Sequence, residues 1–219
     1  MRYEADMING IINVALPKGR LGEKVCAMLD KAGYGTPSAS SDSRKLIFEN
    51  EEKGVRYFWV KPSDVAIYVC RGAADVGICG KDVLAEYEPD VYELLDLHVG
   101  VCRMAVAAPS GYKDDMSRIV RVATKYTSIS EKYYKEQGRQ ADLIRLNGSI
   151  ELAPLLGLSD VIVDIVETGT TLRENDLHVI DTVMEISARF IANKSSYKFK
   201  YGRINEMKEK LAEQTETPE

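Results

Sequence analysis

"SDVIVDIVETGTTLREN", Ser159 to Asn175, is the stretch that decides the fold. Its first half is a greasy run of strand type that contains Asp164. The run breaks into a turn holding Glu167, Thr168 and Gly169. "TTLREN" follows, a segment able to wind into a helical turn. A buried strand that passes through a glycine turn into a helix is the repeating unit of α/β proteins. The same alternation extends outward from this segment in both directions.

Toward the N-terminus, "IINVAL" (Ile11 to Leu16) reads as a buried strand. "GEKVCAMLDKAG" follows as a helix, with Val25, Met28, Leu29 and Ala32 at helical spacing and Gly33 as the stop. "KLIFE" and "VRYFWV" read as strands, "PSDVAIYVCRG" as a helix, "DVGIC" as a strand and "GKDVLAEY" as a helix. A second set begins with the strands "GVCRMAVAAP" and "IVRVATK". The helix "SISEKYYKEQG", the strand "DLIRL" and the helix "SIELAPLLG" lead back to the opening segment. Beyond it, "HVIDTVMEIS" and "ARFIAN" read as strands returning toward the first set, and "GRINEMKEKLAEQ" as a closing amphipathic helix. "TPSASSDS" (Thr36 to Ser43) is the most loop-like stretch. Met1 to Asp6 are expected to lie outside the fold, and the tail "TETPE" to fray. No linker separates the halves, so two lobes would require a chain that goes out and comes back.

Composition narrows the function. The chain has 219 residues, is 45% hydrophobic and carries a net charge of −5. That is enough to bury a core, and it argues against a general binder of nucleic acid or membranes. It leaves room for an anionic ligand in a locally basic pocket. Four cysteines at 26, 70, 79 and 102 fit no zinc spacing and read as free thiols. With two histidines only, a His-based metal site or a Ser-His-Asp triad has little to draw on. The N-terminus shows no signal-peptide pattern and no apolar run reaches transmembrane length, so a cytoplasmic location is expected.

The candidate chemistry lies where strands end. Asp164 puts a carboxylate at the carboxyl end of a strand, where ligands bind in α/β sheets. The turn after it offers amides near Thr168, Gly169 and Thr170 and the hydroxyls of Thr168, Thr170 and Thr171. Two readings fit: a nest for one phosphate, or a loop whose threonines cap its own backbone. "LPKGRL" places Lys18, Gly19 and Arg20 at the end of the first strand. Basic residues at a helix start oppose the helix dipole, and that local cost favours a functional role. Arg44 and Lys45 precede a strand, and "GICGKD" gives Gly77, Gly80 and Lys81 at another strand end. "LNGSIELAP" puts Asn147, Gly148 and Ser149 at a turn, with Glu151 in the first turn of the next helix. Together these turns suit a phosphorylated ligand.

The blocks "INVALPKGRL", "SRKLIF", "PSDVAIYVCRGAADVGICGKDVL", "GVCRMAVAAP", "RVATKY", "LNGSIELAPLLGLSDVIVDIVETGTTLREN" and "ARFIAN" resemble, in order and spacing, the ATP phosphoribosyltransferases, over roughly Ile11 to Lys210. The resemblance implies a two-lobed, type II periplasmic-binding-protein-like α/β fold with an active-site cleft between the lobes. On that expectation residues 1–96 and 183–219 form lobe I, and 97–182 form lobe II with the phosphoribosyl-binding loop. The implied reaction joins phosphoribosyl from 5-phosphoribosyl 1-diphosphate to N1 of the adenine of ATP, with Mg²⁺ on the diphosphate. The length resembles the short form of the family. That form implies a histidyl-tRNA-synthetase-like regulatory subunit as partner and a homodimer of the chain alone. Carried over by motif, Glu167, Thr168, Gly169, Thr170 and Thr171 hold the ribose 5-phosphate, and Asp164 and Glu151 lie near the ribose. Arg20 and Arg44 neutralise the departing diphosphate, and Lys18 contacts substrate phosphates. The chain departs from the family pattern at Lys61, where Arg is common, and at Ala66 and Thr127, where Pro is common. Lys61 keeps the charge but not the planar fork.

Two rivals remain from the residues. A solute-binding protein could share the fold. A dinucleotide-dependent oxidoreductase would need G-x-G-x-x-G after the first strand, and "LPKGRLG" lacks that spacing.

Overall fold

A computed structural model of the chain describes residues 10–36 and 46–215. Arg44, Lys45 and the segment Met1 to Asp6 lie outside the described residues. The elements run β1 (Ile12–Pro17), α1 (Arg20–Lys31), β2 (Ile47–Asn50), β3 (Val55–Val60), a 3-10 turn (Pro62–Asp64), α2 (Val65–Cys70), β4 (Val76–Gly80), α3 (Lys81–Tyr87) and β5 (Tyr92–Asp96). They continue as β6 (Cys102–Pro109), β7 (Val120–Thr124), α4 (Thr127–Glu136), β8 (Ala141–Arg145), α5 (Leu152–Leu155), β9 (Val161–Val166) and α6 (Thr170–Glu174). β10 (Leu177–Ile186), β11 (Ala188–Ala192), α7 (Lys194–Phe199) and α8 (Tyr201–Thr215) complete the order. Two compact units result. One combines residues 1–84, 88–100 and 187–219; the other combines 85–87 with 101–186.

The first unit is built on a six-stranded sheet in the order β2-β3-β1-β4-β11-β5. β3, β1 and β4 run parallel, so their carboxyl ends share one edge. β1 is buried along its whole length, as its near-continuous apolar sequence requires between helices on both faces. Val25, Met28 and Leu29 of α1, with Ile204, Met207 and Leu211 of α8, cover one face over Val14, Leu16, Val76 and Phe190. Each such side chain contributes about 1.5–3 kcal/mol when fully buried. Gly22 lets α1 start hard against the strand end. A Cβ there would lie 2.0 Å from the Pro17 carbonyl oxygen and 2.7 Å from the Trp59 ring.

At the amino ends of β1 and β4 lies a buried ion pair. Lys200 Nζ donates to Asp75 Oδ2 at 2.8 Å and to the Ile11 carbonyl at 2.7 Å. Asp75 also accepts from the Asn13 amide at 2.8 Å. The two charged side chains are 9% and 6% exposed, so the hydrogen bonds, not water, carry their solvation.

The second unit has a five-stranded sheet, β10-β6-β9-β7-β8, in which β9, β7 and β8 are parallel. Met104, Val106, Val122, Ile129, Tyr134 and Val163 form its main core cluster. Glu86 accepts from the Ser128 and Ile129 amides at 3.1 Å, occupying orphan donors at the start of α4. Thr127 adds its hydroxyl to Glu86 at 3.4 Å.

Three local expectations change. "SIELAPLLG" shrinks to the four-residue α5, because Pro154 supplies no N–H and Gly157 takes a left-handed φ of 72°. "HVIDTVMEIS" does not join the first unit's sheet: β10 pairs with β6, and only β11 joins β4 and β5. β5 was not among the expected strands; it is a short edge strand whose Glu93 and Asp96 face Arg189 at 3.4 and 2.8 Å. All four cysteines are free, and burial pushes the Cys79 thiol well up.

Candidate active site

In the first unit, Lys18, Gly19 and Arg20 are exposed at the carboxyl end of β1. Gly19 caps α1 with a φ of 85°, a left-handed conformation that a side chain would strain. The Lys18 amide donates to the Val60 carbonyl at 2.9 Å, which fixes this corner to the end of β3. Lys61 and Lys81 sit at the same sheet edge, but Lys81 is neutralised by Glu93 at 2.6 Å. Arg44 lies outside the described residues.

In the second unit, the carboxyl ends of β7, β8 and β9 deliver three turns to one sheet edge. Thr124 pairs with both Arg145 and Val163, so Lys125, the Asn147–Ser149 turn and Asp164 follow at neighbouring strand ends. Asp164 is half-buried and accepts from the Ile165 amide at 2.8 Å. Burial raises its carboxyl above the ordinary range. The Ile165 hydrogen bond opposes that shift, the Glu151 charge adds to it, and Lys125 opposes it. Asp164, Glu151 and Lys125 therefore form one electrostatic group.

That shift has a sign. A carboxyl raised on folding binds its proton more tightly in the native state. Its ionised form therefore costs stability at higher pH, and the cost lifts as pH falls through the folded-state value. Asp164→Asn, which can keep the Ile165 bond through its amide oxygen, is expected to melt above the parent near pH 7. The gap should close toward the unfolded-state value near pH 4. Thermal melts across that range check it, and a variant that melts lower at pH 7 refutes it.

The loop itself is exposed at Glu167, Thr168, Thr170 and Thr171. Gly169 takes a left-handed φ of 70° and begins α6, whose N-terminus has no side-chain cap. The Thr168 and Thr170 hydroxyls lie 3.1 Å apart. Thr168 Oγ1 reaches the Thr170 amide only at 3.5 Å, the outer limit of a hydrogen bond. Self-capping by Thr168 is thus at the limit of a hydrogen bond.

Two residues at this edge were missed from sequence. Lys125 follows strand β7 directly, a position that marks it as readily as Arg20. Arg173 folds back onto the loop, donating from one terminal nitrogen to the Thr168 carbonyl and from the other to Thr170 Oγ1, both at 3.1 Å. Helical side chains tilt toward the N-terminus, so a residue three past Thr170 is placed to reach it. Among the described residues no group of three or more His, Cys, Asp or Glu could hold a metal ion, and no helix is long and apolar enough to cross a membrane.

The two sheets, with their strand orders and the two units they build, define an α/β protein of the type II periplasmic-binding-protein class. Residues 61–213 match the family model described as HisG: ATP phosphoribosyltransferase. The chain is 60% identical over 191 residues to the ATP phosphoribosyltransferase of Brachyspira hyodysenteriae, covering 87% of this chain and 93% of that one. In fold it is similar to a chain of the ATP phosphoribosyl transferase (HisG:HisZ) complex from Thermotoga maritima. That match has a TM-score of 0.81 and 38% identity, and covers 94% of this chain and 98% of that one. A substrate-binding protein of an amino acid ABC transporter matches with a TM-score of 0.58 at 15% identity, over 93% of this chain and 94% of that one. That likeness shows the fold alone. The chain belongs to the ATP phosphoribosyltransferase family, which performs the first step of histidine biosynthesis. The solute-binding alternative is not favoured.

Proposed function

We propose that the Glu167–Thr171 loop holds the 5-phosphate of 5-phosphoribosyl 1-diphosphate while Arg20 and Arg44 take up the charge on the leaving diphosphate. The uncapped, left-handed start of α6 at Gly169 is the observation that carries the loop's role. Adenine N1 of ATP supplies the electron pair that forms the bond to the ribose C1. The C1–O bond to diphosphate breaks, and its pair leaves with the diphosphate. Positive charge grows on the sugar and negative charge on the leaving oxygens, so carboxylates belong near the first and cations near the second. Asp164 and Glu151 supply the former. Lys18 adds a contact to substrate phosphates. Mg²⁺ enters on the donor's diphosphate, as this ion commonly does with substrate phosphates. No general base is needed to expose the lone pair of N1.

The chain further acts as a catalytic subunit that pairs with a histidyl-tRNA-synthetase-like regulatory subunit in the cytoplasm. The likeness to a chain of the Thermotoga maritima HisG:HisZ complex, 98% of which is covered, supports that partner. Incubation with ATP, 5-phosphoribosyl 1-diphosphate and Mg²⁺, with and without the regulatory subunit, tests the activity through phosphoribosyl-ATP formation. No product in either arm refutes it. Thr171→Val tests the loop: the KM for the donor is expected to rise roughly tenfold, the value of one hydrogen bond to a charged group. An unchanged donor KM removes the loop from the site.

A further inference from the structure

We infer that Arg173 is a positioning residue that shapes the phosphate loop through Thr168 and Thr170. The inference rests on the proposed role of that loop. Between Asp164 and Asp176 the chain carries Glu167 and Glu174 as well, and Arg173 is the sole cation of the segment. Arg173 is exposed, yet its guanidinium is engaged. It turns back along α6 and grips the turn at two points.

Each point has a consequence for a bound phosphate. A trans peptide holds its C=O and N–H antiparallel. Pinning the Thr168 carbonyl therefore fixes the Gly169 amide in the opposite direction. Gly169, at a φ of 70°, has the freedom to let that peptide turn if nothing holds it. At the second point, Thr170 Oγ1 accepts from Arg173, which leaves the hydroxyl proton of Thr170 as a donor. That donor has Thr168 Oγ1 at 3.1 Å in the free loop, and a phosphate oxygen can replace it. The planar fork of arginine satisfies both points at once; a lysine ammonium is a point charge on a flexible stem.

The test is steady-state kinetics with three variants. Arg173→Ala is expected to raise the KM for 5-phosphoribosyl 1-diphosphate about 10- to 100-fold. The KM for ATP and the melting temperature should stay near the parent's. Arg173→Lys, which keeps the charge and loses the fork, should stay close to the alanine value. Thr171→Val, run alongside, reports on the loop itself. A raised donor KM in Thr171→Val with an unchanged one in Arg173→Ala overturns the inference and leaves the loop's role standing. An unchanged KM in both overturns the loop's role, and the inference with it. Full recovery in Arg173→Lys assigns the effect to charge alone and overturns the positioning role. So does a parallel loss of ATP affinity and stability in Arg173→Ala, which would mark a purely structural residue.

Discussion

Arg20→Ala lowers kcat by about 100- to 1000-fold, the expected loss when one preorganised partner of developing negative charge is removed. Arg20 is the first residue of α1, exposed, and held at the strand end by the Gly19 turn and the close approach at Gly22. A cation in that place opposes the helix dipole, so its removal should not weaken the helix. Catalysis and stability are therefore expected to separate cleanly: turnover collapses while the melting temperature holds. Arg44→Ala should lose a similar factor, because both arginines are assigned to one leaving group. Diphosphate release under saturating substrates measures both. Near-normal turnover in the two variants would remove them from the leaving-group role.

The largest stability effect is expected at Lys200→Met. It strips the ammonium from a carboxylate that is 6% exposed and leaves Asp75 charged and buried. Removing one member of such a pair costs about 3–5 kcal/mol. For a chain of this size that is a fall in melting temperature of roughly 6 to 20 °C. The double variant Asp75→Asn/Lys200→Met removes both charges and keeps an acceptor for the Asn13 amide. It should recover most of the loss. Urea unfolding of the parent, the single and the double variants decides the matter. A single variant within about 1 kcal/mol of the parent would show that water already reaches the pair.

Much of the fold could be read from punctuation and period. Gly33 and Gly138 end α1 and α4 with left-handed φ values, as glycines after amphipathic runs should. β1 and β9 were legible because most of their residues are buried and each reads as an apolar run broken by one polar residue, Asn13 or Asp164. β5 was not, because an edge strand carrying Glu93 and Asp96 has no such run and is held by Arg189, nearly a hundred residues away in sequence. α7 was also missed, although Asn193 caps it by accepting from Ser195 and Ser196, a signal the sequence does contain. At the site, Asp164 and Gly169 were visible as a strand end and a turn. The place of Lys125 beside Asp164 and Glu151 was not, since it depends on parallel register between three strands.

The strand order of the first unit sets a timetable for synthesis. β11 lies between β4 and β5, yet it is made more than ninety residues after β5 is complete. Residues 101–186 can fold as they emerge, because nearly all of the second unit is contiguous. The first unit waits with a gap in its sheet, an open apolar face that α8 will later cover, and an Asp75 carboxylate lacking its ammonium. At about 5–20 residues per second the wait lasts several seconds. A released chain ending at Ile186 would thus carry one finished unit and one split sheet with open edges, the species on which chaperones are expected to act.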